Sequence, residues 1–279
     1  MRFEQEIDGK GPQHGESMVD EGTSIASFSV LSEIATGSPQ SEHRKYFTRY
    51  TTQTDGKERL AEAITNLAQT KAAKVLLDLG AGDGRLTRLV APIFDKVIAV
   101  EWNEKYRDAL QLLPKTEVFI ESMQDFSFQG DFDMALMSYS LSGVPLDKRT
   151  QFFEKLFRQC SPNGCVLYAT YADGCEWDQF SSLVSEKLGR ERSGGTGIHE
   201  AELRKLNYTV NVVENIRTLI WGQSLDDLGD VLSFFFLDKV KDYQQRFVEF
   251  RPHLDRLSFE MPDGRRGIAV TECLVEVTP

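Results

Sequence analysis

The stretch VLLDLGAGDGRL, residues 75–86, ends an apolar run on a carboxylate, Asp78, and follows it with Gly80, Gly82 and Gly84 at alternate positions, Ala81 lying between the first two. Glycine has no Cβ, so the main chain there can take positive φ and touch a ligand directly. A strand ending at Asp78–Leu79 and a helix starting near Gly84 would aim free N–H groups at a carboxylate or phosphate. A second acid, Glu101, closes the run VIAVEWN. Its two oxygens match a vicinal diol, so it suits a ribose and repels a 2′-phosphate. Trp102, the next residue, is placed either on an adenine face or in core packing. The glycine spacing is G-x-G-x-G; the dinucleotide pattern G-x-G-x-x-G would need a glycine where Arg85 stands.

The elements that must hold these residues alternate along the chain. Strands are expected at 74–80, 96–102, 116–122, 132–140 and 165–171, with helices at 85–94, 103–113 and 146–160 between them. Asp147 is a plausible cap of the last helix, with Phe152, Phe153, Leu156 and Phe157 inward, SPNG as its stop and Cys160 at its end. Continuous apolar strands joined by amphipathic helices indicate a doubly wound α/β fold, its parallel sheet covered on both faces. Ahead of it, Tyr46, Phe47 and Tyr50 share a helical face, and Leu60, Ile64 and Leu67 form a second stripe. Beyond Tyr171 the pattern gives helices in WDQFSSLVSEKLG and HEAELRKLNY, a strand in TVNVVENI, a helix over 224–240 opened by Ser224 and Asp227, and a last strand over 267–277. Phe234 to Phe236 read as core, and His199 as a surface or capping residue. Residues 1–40, rich in Gly, Ser, Glu and Gln, read as a flexible arm with one orderable patch at 24–35.

Composition narrows the class. The chain has 279 residues, 41% hydrophobic, enough for a core, and a net charge of −11. That charge argues against nonspecific nucleic-acid binding, which draws on Lys and Arg, and permits a cationic small substrate. No apolar run reaches the roughly 18 residues of a membrane span, and the first residues lack the apolar core of a signal peptide, so a cytoplasmic protein without a membrane partner is expected. Cys160, Cys165, Cys175 and Cys273 form no CxxC pair and have no histidine at ligand spacing, so they read as free thiols with no metal.

The run LLDLGAGDGRLT resembles motif I of the class I S-adenosylmethionine (SAM)-dependent methyltransferases, an acid followed by G-x-G-x-G. The resemblance implies a Rossmann-like, seven-stranded, mostly parallel sheet with helical N- and C-terminal additions. It implies SAM as cofactor and S-adenosylhomocysteine (SAH) as product, the glycine loop cradling the amino-acid part and Asp78 helping to hold its amino group. By the same resemblance Ser122 and Met123 would lie near the adenine amino group, and Ser138 and Tyr139 beside the methyl group. The order of features over 42–277, with KYFTRYTTQ before motif I and Gly174, Trp177 and Asp178 after the fifth strand, is similar to small-molecule enzymes of the histamine N-methyltransferase type. In that alignment the acid near the substrate amine falls on Gln53 and the strand-four amide on Tyr139. The domain would then span 41–279, with a SAM-binding core at about 72–172 and substrate-covering parts at about 41–70 and 173–260.

Methyl transfer from a sulfonium is an in-line displacement with an already activated donor, so alignment and water exclusion matter most. A base is needed only where the nucleophile arrives protonated. Tyr139 could orient the nucleophile, while Tyr46, Tyr50, Tyr171 and Trp177 could wall a pocket suited to a cationic or aromatic substrate, or pack as core. The leading expectation is methylation of a small molecule, at an amine nitrogen ahead of a hydroxyl or carboxylate, by a monomer or homodimer. RNA or protein methylation, a silent SAM-binding regulatory module and an NAD-dependent oxidoreductase are the alternatives.

Overall fold

The computed structural model describes residues 40–127, 130–190 and 195–279. What was expected of residues 1–39, and of 191–194 in the loop before His199, lies outside the described residues.

The chain enters through helices α1 (Gln40–Thr52) and α2 (Gly56–Thr70). The central run is β1 (Val75–Leu79), α3 (Arg85–Val90), β2 (Lys96–Glu101), α4 (Arg107–Gln111), β3 (Thr116–Ile120), β4 (Phe132–Ser138), α5 (Arg149–Gln159) and β5 (Cys160–Tyr171). Then follow α6 (Glu176–Lys187), α7 (Thr196–Lys205), β6 (Thr209–Gly222), α8 (Leu225–Leu232), α9 (Val240–Gln245), α10 (Phe247–Leu257), β7 (Ser258–Glu260) and β8 (Arg266–Thr278).

One sheet results, ordered β3-β2-β1-β4-β5-β8-β6, with short β7 also paired to β8. It has eight strands, one more than expected, because β7 forms a small extra pairing on β8. The first five are parallel; β8 runs antiparallel between β5 and β6. Strand order reverses between β1 and β4, and crevices open at the carboxyl ends of strands at such a reversal.

Strand alternation sorts the two faces. Leu77 and Leu79 join the core that includes Phe153 and Leu156 of α5, while Leu76 joins the core under α2 and α3 with Leu60, Ile64 and Val90. Asp78 shares the parity of Leu76. A third cluster, with Trp177, Phe180, Leu228, Phe236 and Leu254, packs α6, α8 and α10 over the end of the sheet near Ile220 and Ile268.

Several local expectations change. Asp147 sits inside a 3₁₀ turn, and α5 starts at Arg149 with no side-chain cap. Cys160 starts β5 rather than ending the helix, with a bulge between its pairing to Phe132 and that of Cys165 to Met134. The helix expected over 224–240 breaks into α8, a 3₁₀ stretch at Ser233–Lys239 with Phe236 at φ −122°, and then α9. Ser224 does cap it, accepting the Asp227 N–H at 3.1 Å. Helix α10 carries Pro252 inside it, a residue that reads as a breaker, and burial of Phe250 and Leu254 at i, i+4 holds it. All four cysteines are free thiols. Among the described residues no helix is long and apolar enough to cross a membrane.

Candidate active site

The bend after β1 is built as its composition requires. Gly80, Gly82 and Gly84 have φ of +84°, +58° and +74°. Two of them also solve packing: a Cβ on Gly80 would stand 2.5 Å from that of Ser140, and one on Gly84 2.9 Å from a Leu110 methyl. A Cβ on Gly82 would meet nothing within 4 Å, so this bend borders open space where a ligand can lie against the main chain. Helix α3 is short, and at its start the Arg85 N–H is taken by Asp83 Oδ1 at 3.1 Å and the Gly84 N–H by the Ala81 carbonyl at 3.1 Å.

Asp78 is buried, accepts the Thr87 hydroxyl at 2.6 Å, and is pushed up to about 6, chiefly by burial. Glu101 is 5% exposed, which excludes a solvated strand-end acid. Its oxygens each accept a backbone N–H, from Gly82 at 2.8 Å and Asn103 at 2.9 Å. Every carboxylate oxygen has a second lone pair, so Glu101 braces the glycine bend and still has capacity for a diol.

Two cavities open here, and Gly80, Ser138 and Tyr139 border both. The first, of about 590 Å³, is a cleft lined by Glu101, Trp102, Ser122 and Met123. Trp102 is 72% exposed at its rim, not packed in the core. The second, of about 410 Å³, runs from Asp78, Ala81 and Gly82 into a chamber walled by Tyr50, Tyr171 and Trp177. Tyr139 has φ +58°, unusual for a bulky side chain, and its N–H is held by the Ala169 carbonyl at 3.0 Å. Burial and the facing Glu272 carboxylate push its hydroxyl well above the usual phenol range.

The N-terminal cover is stitched onto the sheet. Thr54 bridges Ile220, the Trp221 N–H donates to the Gln53 carbonyl at 2.9 Å, and Asp55 accepts the Leu219 N–H at 2.7 Å. Arg85 reaches the Thr51 carbonyl and pairs with Glu58 at 2.6 Å, tying the cover to the glycine loop.

Of the five aromatic and amide positions expected to meet a substrate, two do not line the chamber. Tyr46 faces Gln244, whose amide donates to its hydroxyl at 3.0 Å; Phe47, one residue on, lines the chamber instead. Gln53 is spent on the Trp221 carbonyl at 3.2 Å and Asp227 at 3.1 Å. Phe234 and Phe235, expected in the core, are half-buried wall residues: Tyr50 stacks on Phe234 at 5.0 Å, and Trp177 lies 4.2 Å from Phe235. Phe236 alone of the run is fully buried. His199 is buried rather than on the surface, its ring edge-on to Tyr168 and its Nδ1 3.4 Å from Glu202.

Two charged residues that pattern reading passed over enter the chamber. Lys57 donates to Ser138 Oγ at 2.9 Å and lies 5.2 Å over the Tyr139 ring; burial holds its ammonium below the usual lysine range. In GKERLAEA it reads as an ordinary solvated helix residue. Glu272 lines the same chamber from β8, 3% exposed. A charge interrupting the apolar run AVTECLVEV was the available signal.

Residues 76–164 match the methyltransferase domain family. No curated protein matches the sequence. Among solved structures, the YcgJ protein of Bacillus subtilis is 13% identical, with a TM-score of 0.52 over 78% of this chain and 96% of that one, a likeness of fold. The plantazolicin methyltransferase BpumL is 14% identical, with a TM-score of 0.49 over 91% of this chain and 98% of its own. A putative type II methyltransferase from Anaeromyxobacter dehalogenans is 19% identical, with a TM-score of 0.49 over 73% and 88%.

Proposed function

We infer, on the premise that this chain is a class I SAM-dependent methyltransferase, that it methylates an amine nitrogen of a small molecule. The observation that carries the reading is the aromatic chamber that begins at the glycine bend beside Asp78 and holds a second buried carboxylate, Glu272, farther in. Aromatic faces and an acid favour a cationic or aromatic acceptor, and a chamber of about 410 Å³ fits a small molecule rather than a polynucleotide.

The donor fits the residues present. Gly82 leaves room against its backbone, Glu101 keeps lone pairs for ribose hydroxyls, and Trp102 and Met123 offer apolar contact for adenine. Asp78 would hold the amino group of the methionyl part and Lys57 its carboxylate. SAM supplies a methyl group already activated by a positive sulfur. The protein's work is then to fix the acceptor atom in line, with Ser138 and Tyr139 standing where the two cavities meet. Excluding water from that junction falls to the cover of α1 and the 3₁₀ stretch, through Tyr50, Phe234 and Phe235. The reading does not extend to histamine, because Gln53, aligned with the acid that meets the substrate amine in that enzyme type, is committed to Asp227 and Trp221.

Incubation of the folded protein with SAM labelled in its methyl group and with separate pools of small amines, small acids and RNA tests the reading. Label in an extractable amine is the expected result. Label in RNA, or no heat in calorimetry with either SAM or SAH, refutes it.

A further inference from the structure

We propose that Glu272 recognises the acceptor in its protonated, ammonium form and takes its proton before methyl transfer; this rests on the methyltransferase reading above. Glu272 sits at mid-length of β8, opposite Tyr171 of β5 and Ile216 of β6. That register brings it level with the carboxyl end of β5, where the chamber lies. Its Oε1 accepts the Thr218 hydroxyl at 3.3 Å, while Oε2 is buried without a hydrogen bond of normal length, the Tyr139 hydroxyl facing the carboxylate. A buried carboxylate oxygen with no donor is unfavourable unless a ligand brings one. Space for the acid is reserved: a Cβ on Gly56 would come within 2.5 Å of Oε1.

The surroundings select the form of the ligand. Tyr50, Tyr171, Trp177 and Phe235 present rings to whatever approaches Glu272, and rings and a carboxylate together attract a cation. Among the described residues Glu272 forms no ion pair. Lys57, a cation whose charge acts on Glu272, gives its hydrogen bond to Ser138. The groups facing Glu272 are Lys57 of α2 and Asp55 before it, Tyr50 of α1, Tyr139 after β4 and Thr218 of β6. Lys57, Tyr139 and Thr218 favour the ionised acid and Asp55 opposes it, but burial outweighs them and pushes Glu272 up to about 7. The acid is thus able both to bind an ammonium and to hold its proton near neutral pH.

In the step, one N–H bond of the ammonium breaks with its electron pair staying on nitrogen, and the proton forms an O–H bond on Oε2. The freed pair would form the new N–C bond as the methyl–sulfur bond of the sulfonium breaks, its electron pair going to sulfur. Glu272 returns the proton to water when the product leaves.

Phenethylamine and phenethyl alcohol, titrated by calorimetry into the SAH-loaded protein, are paired probes of this role. The wild type is expected to bind the amine at least tenfold more tightly than the alcohol, with amine affinity falling as pH drops from 8 to 6. Glu272→Gln is expected to bind SAH as the wild type does, yet lose both the amine preference and its pH dependence, with Glu272→Asp restoring part of each. Equal binding of the two probes, no binding of the amine, or a preference retained in Glu272→Gln overturns the proposal. Failure of the wild type to bind SAH instead overturns the reading it rests on.

Discussion

Replacing Glu272 by glutamine should change how stability depends on pH, and the size follows from burial. The side chain is 3% exposed, and its carboxyl is raised from an ordinary 4.5 to about 7. The folded state therefore holds this proton more tightly than the unfolded chain does. Its contribution is fully present below about pH 4.5 and is lost as pH rises through about 7. One pKa unit corresponds to about 1.4 kcal/mol, so the wild type should lose about 2–3 kcal/mol between pH 5 and pH 8 on account of this group. Glutamine keeps the size and the acceptor for Thr218 but cannot ionise, so the variant should lack that loss. Loss of the attraction to Lys57 trims any absolute gain, so the difference between the two pH values is the quantity to read. Asp78, pushed up to about 6, titrates in both proteins and cancels in the comparison. Urea unfolding of wild type and variant at pH 5 and pH 8 measures it. Parallel changes in the two proteins would refute the claim that burial of Glu272 stores this energy.

The glycine bend and the cleft beside it yield two further tests. Gly82→Val adds a side chain in open space at φ +58°, so it should cost about 1–2 kcal/mol of backbone strain, keep the fold by circular dichroism, and abolish SAM binding in calorimetry; wild-type affinity would place the ligand elsewhere. Trp102→Ala removes a ring that is 72% exposed, so melting temperature should hardly move while SAH affinity falls several-fold; unchanged affinity would remove Trp102 from the adenine face.

The parts legible in the sequence are those whose cause is local. An acid, an apolar strand and alternate glycines specify a bend with positive φ wherever the chain goes, and Glu101 at the tip of the next parallel strand follows from register alone. The five parallel strands were legible because each is an apolar run bounded by turn residues. The chamber was not legible. Tyr46 and Phe47 are adjacent on one helix, and which of them faces the site depends on how α1 is anchored to β6 and α8 through Gln53, Arg49 and Asp227. Phe234 and Phe235 became wall residues because the helix breaks into a 3₁₀ stretch.

Local pattern by itself determined the class of fold, the glycine bend and the two acids, Asp78 and Glu101, that flank it. Tertiary structure alone decided the chamber, because Glu272 meets Tyr171 only when β8 inserts antiparallel beside β5, and Lys57 reaches Ser138 only when α2 lies across the sheet. Those pairings join positions 101 and 81 residues apart, and no periodicity within a window of one strand or one helix carries that information.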